Sequence, residues 1–122
     1  MIKATLLIRL CIAAFFSCLL IQSIGQAWFA NCTFWGRNIG WQTEISIWNL
    51  GMALVLLPIS RSEEFSRKVL PGLMVLSLSF GINHILAFSS AGHFMLGNLM
   101  GFASNFLMVA LGVIALSNGK KF

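Results

Sequence analysis

The chain has 122 residues, of which 58% are hydrophobic and 9% are charged, and its mean hydropathy is +0.89. Soluble domains carry roughly 25% charged residues, so this composition excludes an ordinary soluble fold, which would lack a polar surface. The net charge of +5 would suggest nucleic acid as a partner of a soluble protein, but here the basic residues flank apolar runs, and we expect no nucleic-acid partner. Composition predicts an integral membrane protein surrounded by a lipid bilayer.

The apolar residues fall into four long runs, each close to the ~20 residues that a helix needs to cross the hydrocarbon of a membrane. We predict spanning helices over about 5–25, 44–60, 69–88 and 94–117. These runs use nearly the whole chain, so residues 1–122 are predicted to form a single transmembrane domain. Because the second and third loops are short, we expect an all-α, antiparallel up-and-down four-helix bundle in which spans two, three and four lie side by side.

In the first run Lys3 and Arg9 precede an apolar core, as in a secretory signal, but the apolar stretch is longer than the usual signal core, and we expect an uncleaved helix. Cys11 and Cys18 lie seven residues apart on one face of this run, and Cys32 lies in the loop that follows. No Cys-x-x-Cys or Cys/His ligand spacing is present. We therefore expect neither a disulfide framework nor a metal site, and no cofactor motif is found.

All four tryptophans lie between Trp28 and Asn49. Tryptophan is enriched where spanning helices meet water, so this cluster indicates an aromatic belt. The loop between the first two spans, at roughly eighteen residues, is too long for a plain connection, and we expect it to have structure of its own. The second span is predicted to start near Glu44 and to end or kink at Pro58.

Residues 60–68 carry charges of both signs and are predicted to form a solvated polar connector. Ser62, followed by Glu63 and Glu64, is a weak signal for a helix cap. Pro71 is expected in the first turn of the third span, where its missing N–H costs little. The fourth span should end before Asn118.

Seven of the eight basic residues flank the first run, lie between the second and third, or close the chain, where Lys120 and Lys121 serve as anchors. Only Arg37 lies in the first loop. Loops rich in Lys and Arg stay in the cytoplasm, so both termini and the second loop are predicted to be cytoplasmic. The predicted location is the inner (plasma) membrane, with the tryptophan-rich loop on the outer side.

Polar side chains inside apolar runs are costly and mark either interior contacts or functional sites. The candidates for one outward-facing ligand or proton pocket are Glu44, Asn49, His84 and Asn98, with supporting positions Gln42, Arg37, Asn83 and Asn105. The glycines expected to allow close helix packing are Gly97, Gly101 and Gly112. The alternative interpretation is that the amides and the histidine only hydrogen-bond between helices.

Several short elements follow one another in a set order. They are Ile39-Gly40-Trp41, Gln42-Thr43-Glu44, Asn49-Leu50-Gly51, Gly81-Ile82-Asn83-His84 and Gly97-Asn98. By these elements, residues 39–117 resemble a family of small bacterial four-helix membrane proteins classed as a domain of unknown function, although Ser46 and Asn83 stand where that family usually has glycine. The resemblance implies a four-helix membrane fold, emphasises the four pocket candidates and implies no reaction.

The sequence contains no evident nucleophile, metal cluster or cofactor motif. We therefore expect a non-enzymatic protein whose outer pocket or loop binds a ligand or a partner, either a second copy of the chain or another membrane protein. One alternative is a small proton-coupled transporter acting as an oligomer, with Glu44 as the titrating group. A second alternative is an intramembrane enzyme acting on a lipid or quinone, with His84 as the base.

Overall fold

The computed structural model describes residues 2–118, and the predicted anchors Lys120 and Lys121 lie outside this range. Five helices are present: α1 (Ala4–Ser23), α2 (Gln26–Cys32), α3 (Ile39–Ile59), α4 (Glu63–Ser90) and α5 (Leu96–Ser117). No strand occurs within residues 2–118, so the predicted all-helical class is confirmed. All except α2 are long and apolar enough to cross a membrane.

Helix α3 begins at Ile39, well before the predicted start near Glu44. Asn38 has an extended backbone and caps the helix, because its side-chain oxygen accepts a hydrogen bond from the N–H of Trp41 at 3.0 Å. The helix ends at Ile59, directly after Pro58, as predicted. The early cap places Gln42 and Glu44 on the first turns of a helix.

Helix α4 also begins early, since Ser62 caps it by accepting a hydrogen bond from the N–H of Phe65 at 3.4 Å. The predicted connector over residues 60–68 is therefore reduced to residues 60–62. The placement of Pro71 in a first turn is wrong, because the proline lies in the interior of α4. Its missing N–H leaves the carbonyl of Arg67 without the partner that a regular helix would provide.

The long helices form two closely packed pairs, α1 with α3 and α4 with α5, and α1 also contacts α4 and α5. The expectation that spans two, three and four lie side by side is therefore wrong, because α3 packs mainly on α1 and shares little contact with α4. Two apolar clusters explain this arrangement. The first contains Ile8, Ile12, Ala53, Leu56 and Leu73, and the second contains Ala4, Leu7, Leu70 and Ala115. Helix α1 contributes residues to both clusters and therefore lies between α3 and the pair formed by α4 and α5.

Most of these core residues lie toward one end of the molecule, which holds the start of α1, the turn between α3 and α4, and the end of α5. We call it the connection end and the opposite one the α2 end. From Ala13 to Ser23, toward the α2 end, Gln22 is the one buried residue of α1. The two helix pairs thus pack most closely at the connection end.

The first turn of α4 caps the start of α1 at the connection end. The Glu63 carboxylate accepts hydrogen bonds from the N–H groups of Ala4 at 2.9 Å and Thr5 at 3.0 Å. A negative charge at a helix N-terminus is favoured by the helix dipole. Glu63 is the first residue of α4 and lies before its apolar part, outside the predicted span over 69–88. Burial opposes ionisation of its carboxyl group, but the backbone donors of Thr5 and Ala4, with the charge of Arg67, lower its pKa below the usual value.

The same turn holds the ends of two other helices. The Arg67 guanidinium donates to the carbonyl oxygens of Ala115 at 2.9 Å and Leu116 at 2.7 Å, at the end of α5. The Ser66 hydroxyl donates to the carbonyl of Ile59 at 3.0 Å, at the end of α3. One turn of α4 therefore ties together the ends of three neighbouring helices.

Replacing Glu63→Gln should lower the free energy of unfolding by about 1–2 kcal/mol at neutral pH, because a charged acceptor of two backbone N–H groups is lost. Since the pKa of Glu63 is lowered in the folded state, its contribution is present above the unfolded pKa and is lost as the pH falls through the folded pKa. The difference between wild type and variant should therefore narrow below about pH 4. Unfolding in detergent across pH measures both effects.

The matched control is Glu64→Gln. The Glu64 carboxylate is exposed and pairs with Lys68 of the same helix at 2.6 Å. Exposed pairs of this kind are screened by water and contribute little to stability, so this variant should be close to wild type. Equal losses in the two variants, or a difference for Glu63→Gln that does not depend on pH, would contradict the capping role.

Candidate functional site

The segment from α2 to the start of α3 connects the two helix pairs at the α2 end. We call residues 26–38 the bridging segment. On one side the amide nitrogen of Gln42 in α3 donates to the carbonyl of Gln26 at 3.4 Å. On the other side the N–H of Phe34 donates to the side-chain oxygen of Asn98 in α5 at 2.8 Å. The long first loop has structure of its own, as predicted, in the form of α2.

Asn98 is the centre of the contacts on the α5 side. It lies in the first turn of α5 with none of its surface exposed. Because its Oδ1 accepts from Phe34, its Nδ2 is the atom that faces Nδ1 of His84, at 3.5 Å. An amide nitrogen is a donor, so this contact requires Nδ1 of the imidazole to be unprotonated. The structure thus brings together two predicted site residues, His84 and Asn98.

An indole from the bridging segment completes this cluster. The ring of Trp35 lies edge-on to His84, with centroids 5.0 Å apart and an interplanar angle of 63°. Trp35 also contacts Trp41 at 6.3 Å and stacks with Phe29 at 6.4 Å. We call His84, Asn98 and Trp35 the His84 site. Trp35 is only partly exposed, so this tryptophan has a packing role in addition to the predicted belt role.

Two glycines of α5 let other groups approach its backbone at the His84 site. A Cβ atom on Gly101 would overlap the imidazole of His84. A Cβ atom on Gly97 would lie 2.7 Å from the carbonyl oxygen of Cys32, at the end of α2. Both positions therefore require a residue without a side chain. The third predicted packing glycine, Gly112, lies in the other half of α5, where a Cβ atom would be 2.6 Å from the sulfur of Met74.

The other predicted pocket residues do not join the His84 site. Glu44 is exposed and forms neither an ion pair nor a side-chain hydrogen bond within residues 2–118. Asn49 is buried, but its amide donates to the carbonyl of Ile45 in its own helix at 2.9 Å. Both residues lie apart from His84 because the buried face of α3 packs mainly on α1 and shares little contact with α4 or α5.

The four supporting positions have different environments. Arg37 and Asn83 are exposed. Asn105 is half-buried and donates to the carbonyl of Gly101 at 2.7 Å, within α5. Gln42 is buried and, through Gln26, holds the bridging segment. Arg37 belongs to the bridging segment itself, and of the other three positions only Gln42 forms a hydrogen bond with that segment within residues 2–118.

Sequence analysis did not single out Trp35, nor Gln22 at the end of α1 and Gln26 at the start of α2. Gln22 is buried in α1, and the amide of Gln26 donates to the carbonyl of Gln22 at 3.0 Å. The available signal was a pair of glutamines four residues apart on either side of Gly25, where an apolar run ends. For Trp35 no local signal separates it from the other three tryptophans.

Comparisons with protein-family models, with curated proteins and with solved structures find no match for this chain. The His84 site is therefore interpreted from its own geometry. Within residues 2–118, no group of three or more His, Cys, Asp or Glu side chains is placed to hold a metal ion. The site offers an imidazole, an amide and an indole, which together provide hydrogen bonding and an aromatic surface.

Gly101→Ala and Gly97→Ala should each lower the free energy of unfolding by about 1–3 kcal/mol, because the added methyl group overpacks a filled contact. At Gly101 the imidazole of His84 must move away from Trp35, so tryptophan emission should also change. At Gly97 the obstacle is a backbone carbonyl, which moves only with the end of α2. Thermal unfolding and emission spectra in detergent measure both effects.

Gly51→Ala is the matched control, because Gly51 lies within α3 and a Cβ atom there would meet nothing within 4 Å. Alanine favours helix by up to about 1 kcal/mol over glycine, so stability should be unchanged or higher. A similar loss of unfolding free energy in all three variants would show that the close contacts at Gly97 and Gly101 are not the cause of the loss.

Proposed function

We propose that this chain is a non-enzymatic, multi-pass protein of the bacterial inner membrane, built as an antiparallel four-helix bundle, and that the His84 site binds a ligand or partner at its outer face. Support for membrane insertion comes from the surfaces of the four long helices. Large apolar side chains such as Val75 and Leu107 are 66% and 58% exposed. Such surfaces suit hydrocarbon, and all-helical structure satisfies backbone polar groups there.

The distribution of charge supports the orientation. At or near the connection end, exposed basic side chains belong to Lys3, Arg9, Arg61 and Lys68, whereas Arg37 is the basic residue of the bridging segment. Basic loops favour the cytoplasmic side. We therefore place the connection end and both termini in the cytoplasm and the His84 site toward the outer surface.

The observation that carries the binding proposal is the way His84 is held. Its Nδ1 faces Asn98 and its ring makes an edge-on contact with Trp35, so two contacts orient the imidazole. With Nδ1 unprotonated, the neutral ring carries its proton on Nε2. Nε2 has no hydrogen-bond partner within residues 2–118 and is not among the enclosed unpaired atoms of this range. The ring packs against Gly101 of α5, and its Nε2 is left as an oriented, incompletely enclosed N–H donor near an indole.

This geometry favours a ligand with an acceptor oxygen next to an apolar or aromatic group. The acceptor would bond Nε2 of His84, and the apolar part would contact Trp35. Polar groups placed at depth in apolar helices commonly mark binding sites or pathways. A protein segment with an exposed carbonyl would meet the same requirements, so the proposal includes a membrane-protein partner.

Native mass spectrometry after gentle extraction tests the proposal. Wild-type protein should retain a bound species other than bulk lipid, and His84→Ala should lose it because the oriented donor is removed. His93→Ala is the matched control, since His93 is exposed in the turn after α4 and should retain the species. Identical spectra for wild type and His84→Ala would overturn the binding proposal.

Single-cysteine labelling tests the orientation. In a background with Cys11, Cys18 and Cys32 replaced by Ala, Arg37→Cys should react with a membrane-impermeant maleimide in intact spheroplasts. Glu64→Cys should react only after permeabilisation, because the connection end is cytoplasmic. Both positions are exposed, so folding does not hide them. The reverse pattern would overturn the orientation, and equal labelling of both without permeabilisation would contradict a spanning arrangement.

A further inference from the structure

Two buried amide oxygens at the α2 end have no protein donor. Gln22 in α1 is 6% exposed and Gln42 in α3 is 0% exposed. The Oε1 atom of each is enclosed and has no hydrogen-bond partner within residues 2–118. Buried acceptors in folded proteins are nearly always paired with protein or with ordered water, so both atoms call for a donor.

The packing of α1 on α3 puts Gln22 and Gln42 at the same level of this helix pair. Phe15 of α1 contacts Trp48 of α3, with ring centroids 6.3 Å apart. Moving about seven residues, or two helical turns, toward the α2 end reaches Gln22 on one helix and the turn of Gln42 on the other. Gln26 links them further, because it accepts from the amide of Gln42 and donates to the carbonyl of Gln22.

The orientation of the Gln42 amide follows from its partner. Its Nε2 donates to the carbonyl of Gln26, and turning the amide over would place two oxygens against each other. Oε1 of Gln42 is therefore an acceptor that faces away from Gln26. A donor is required at that position.

The surroundings favour a neutral donor. The Glu44 carboxylate, on the same helix as Gln42, is exposed and forms no ion pair within residues 2–118, so it does not compensate a buried cation. A cation enclosed between apolar helices without a countercharge would be strongly disfavoured. The enclosure of both oxygens also excludes a large molecule. Water has two donor hydrogens for two acceptors.

We propose that Gln22 and Gln42 bind one water molecule between α1 and α3, which donates a hydrogen bond to each Oε1 atom. Together with Gln26, this water holds the start of α2 against the α1 and α3 pair. The site is separate from the His84 site, which anchors the bridging segment at Phe34. It does not depend on any ligand at His84.

A structure of the wild-type protein at a resolution that shows ordered water tests the proposal directly. Density within hydrogen-bond distance of both Oε1 atoms is the expected result. A direct hydrogen bond from Nε2 of Gln22 to Oε1 of Gln42, with no density between them, would overturn it. This readout uses no variant and so does not depend on the folding of a mutant.

Substitutions provide a second test. Gln22→Leu and Gln42→Leu should each lower the unfolding midpoint by about 5 °C, because each leaves the other Oε1 atom without its bridging water. The double variant should lose less than the sum of the two, because the second substitution removes the oxygen that the first left unpaired. Hydrogen exchange of the α2 amides should accelerate in each single variant. The controls are Ser23→Ala and Thr43→Val, exposed neighbours whose hydroxyl groups bond carbonyls of their own helices. Additive effects, or unchanged α2 exchange, would overturn the bridge.

Discussion

The packing of this chain depends on how the ends of its helices are satisfied. A helix leaves N–H groups unpaired at its start and carbonyl groups unpaired at its end, and in apolar surroundings these groups need protein partners. At the connection end one turn of α4 supplies them, with Glu63 at the start of α1 and Arg67 at the end of α5. Each charge also matches the dipole of the helix that it meets. Apolar packing has little directionality, so these polar contacts set the rotation and register in which the two apolar clusters form.

The four long helices could be predicted within a few residues because length and hydropathy are local properties of the chain. Their boundaries were missed where a cap decided them, as at Asn38, whose side chain starts α3 before the apolar run begins. Which helices pack against each other could not be predicted. The spans are apolar on several faces, so periodicity does not say which face of α1 meets α3 and which meets α4. Short loops favoured consecutive helices as neighbours, but the buried face of α3, from Gln42 to Leu56, packs on α1.

The candidate site was predicted only in part, again because the sequence does not show which helix faces meet. Depth along a helix can be deduced from the sequence, and it correctly placed His84 and Asn98 at the same end of adjacent helices. Rotation about the helix axis depends on the neighbours, so Glu44 was grouped with His84 although it faces away from the packed surface of α3. Trp35 and the N–H of Phe34 reach the site through a loop conformation that no periodic pattern encodes. Gln22 was overlooked because a polar residue in the last turn of a span is usually at the water boundary.

The polar contacts at the two ends of the molecule differ in charge. Charged side chains hold the connection end, whereas neutral amides and one imidazole hold the α2 end. Of the four side chains that make those contacts (Gln26, Gln42, His84 and Asn98), only His84 has a group that can gain a proton to become charged. A proton on its Nδ1 would set two donors against each other, because the facing atom of Asn98 is an amide nitrogen. Asn98 would then have to turn, and turning removes the acceptor of the Phe34 N–H. The protonation state of His84 is thereby linked through one amide to the position of the bridging segment.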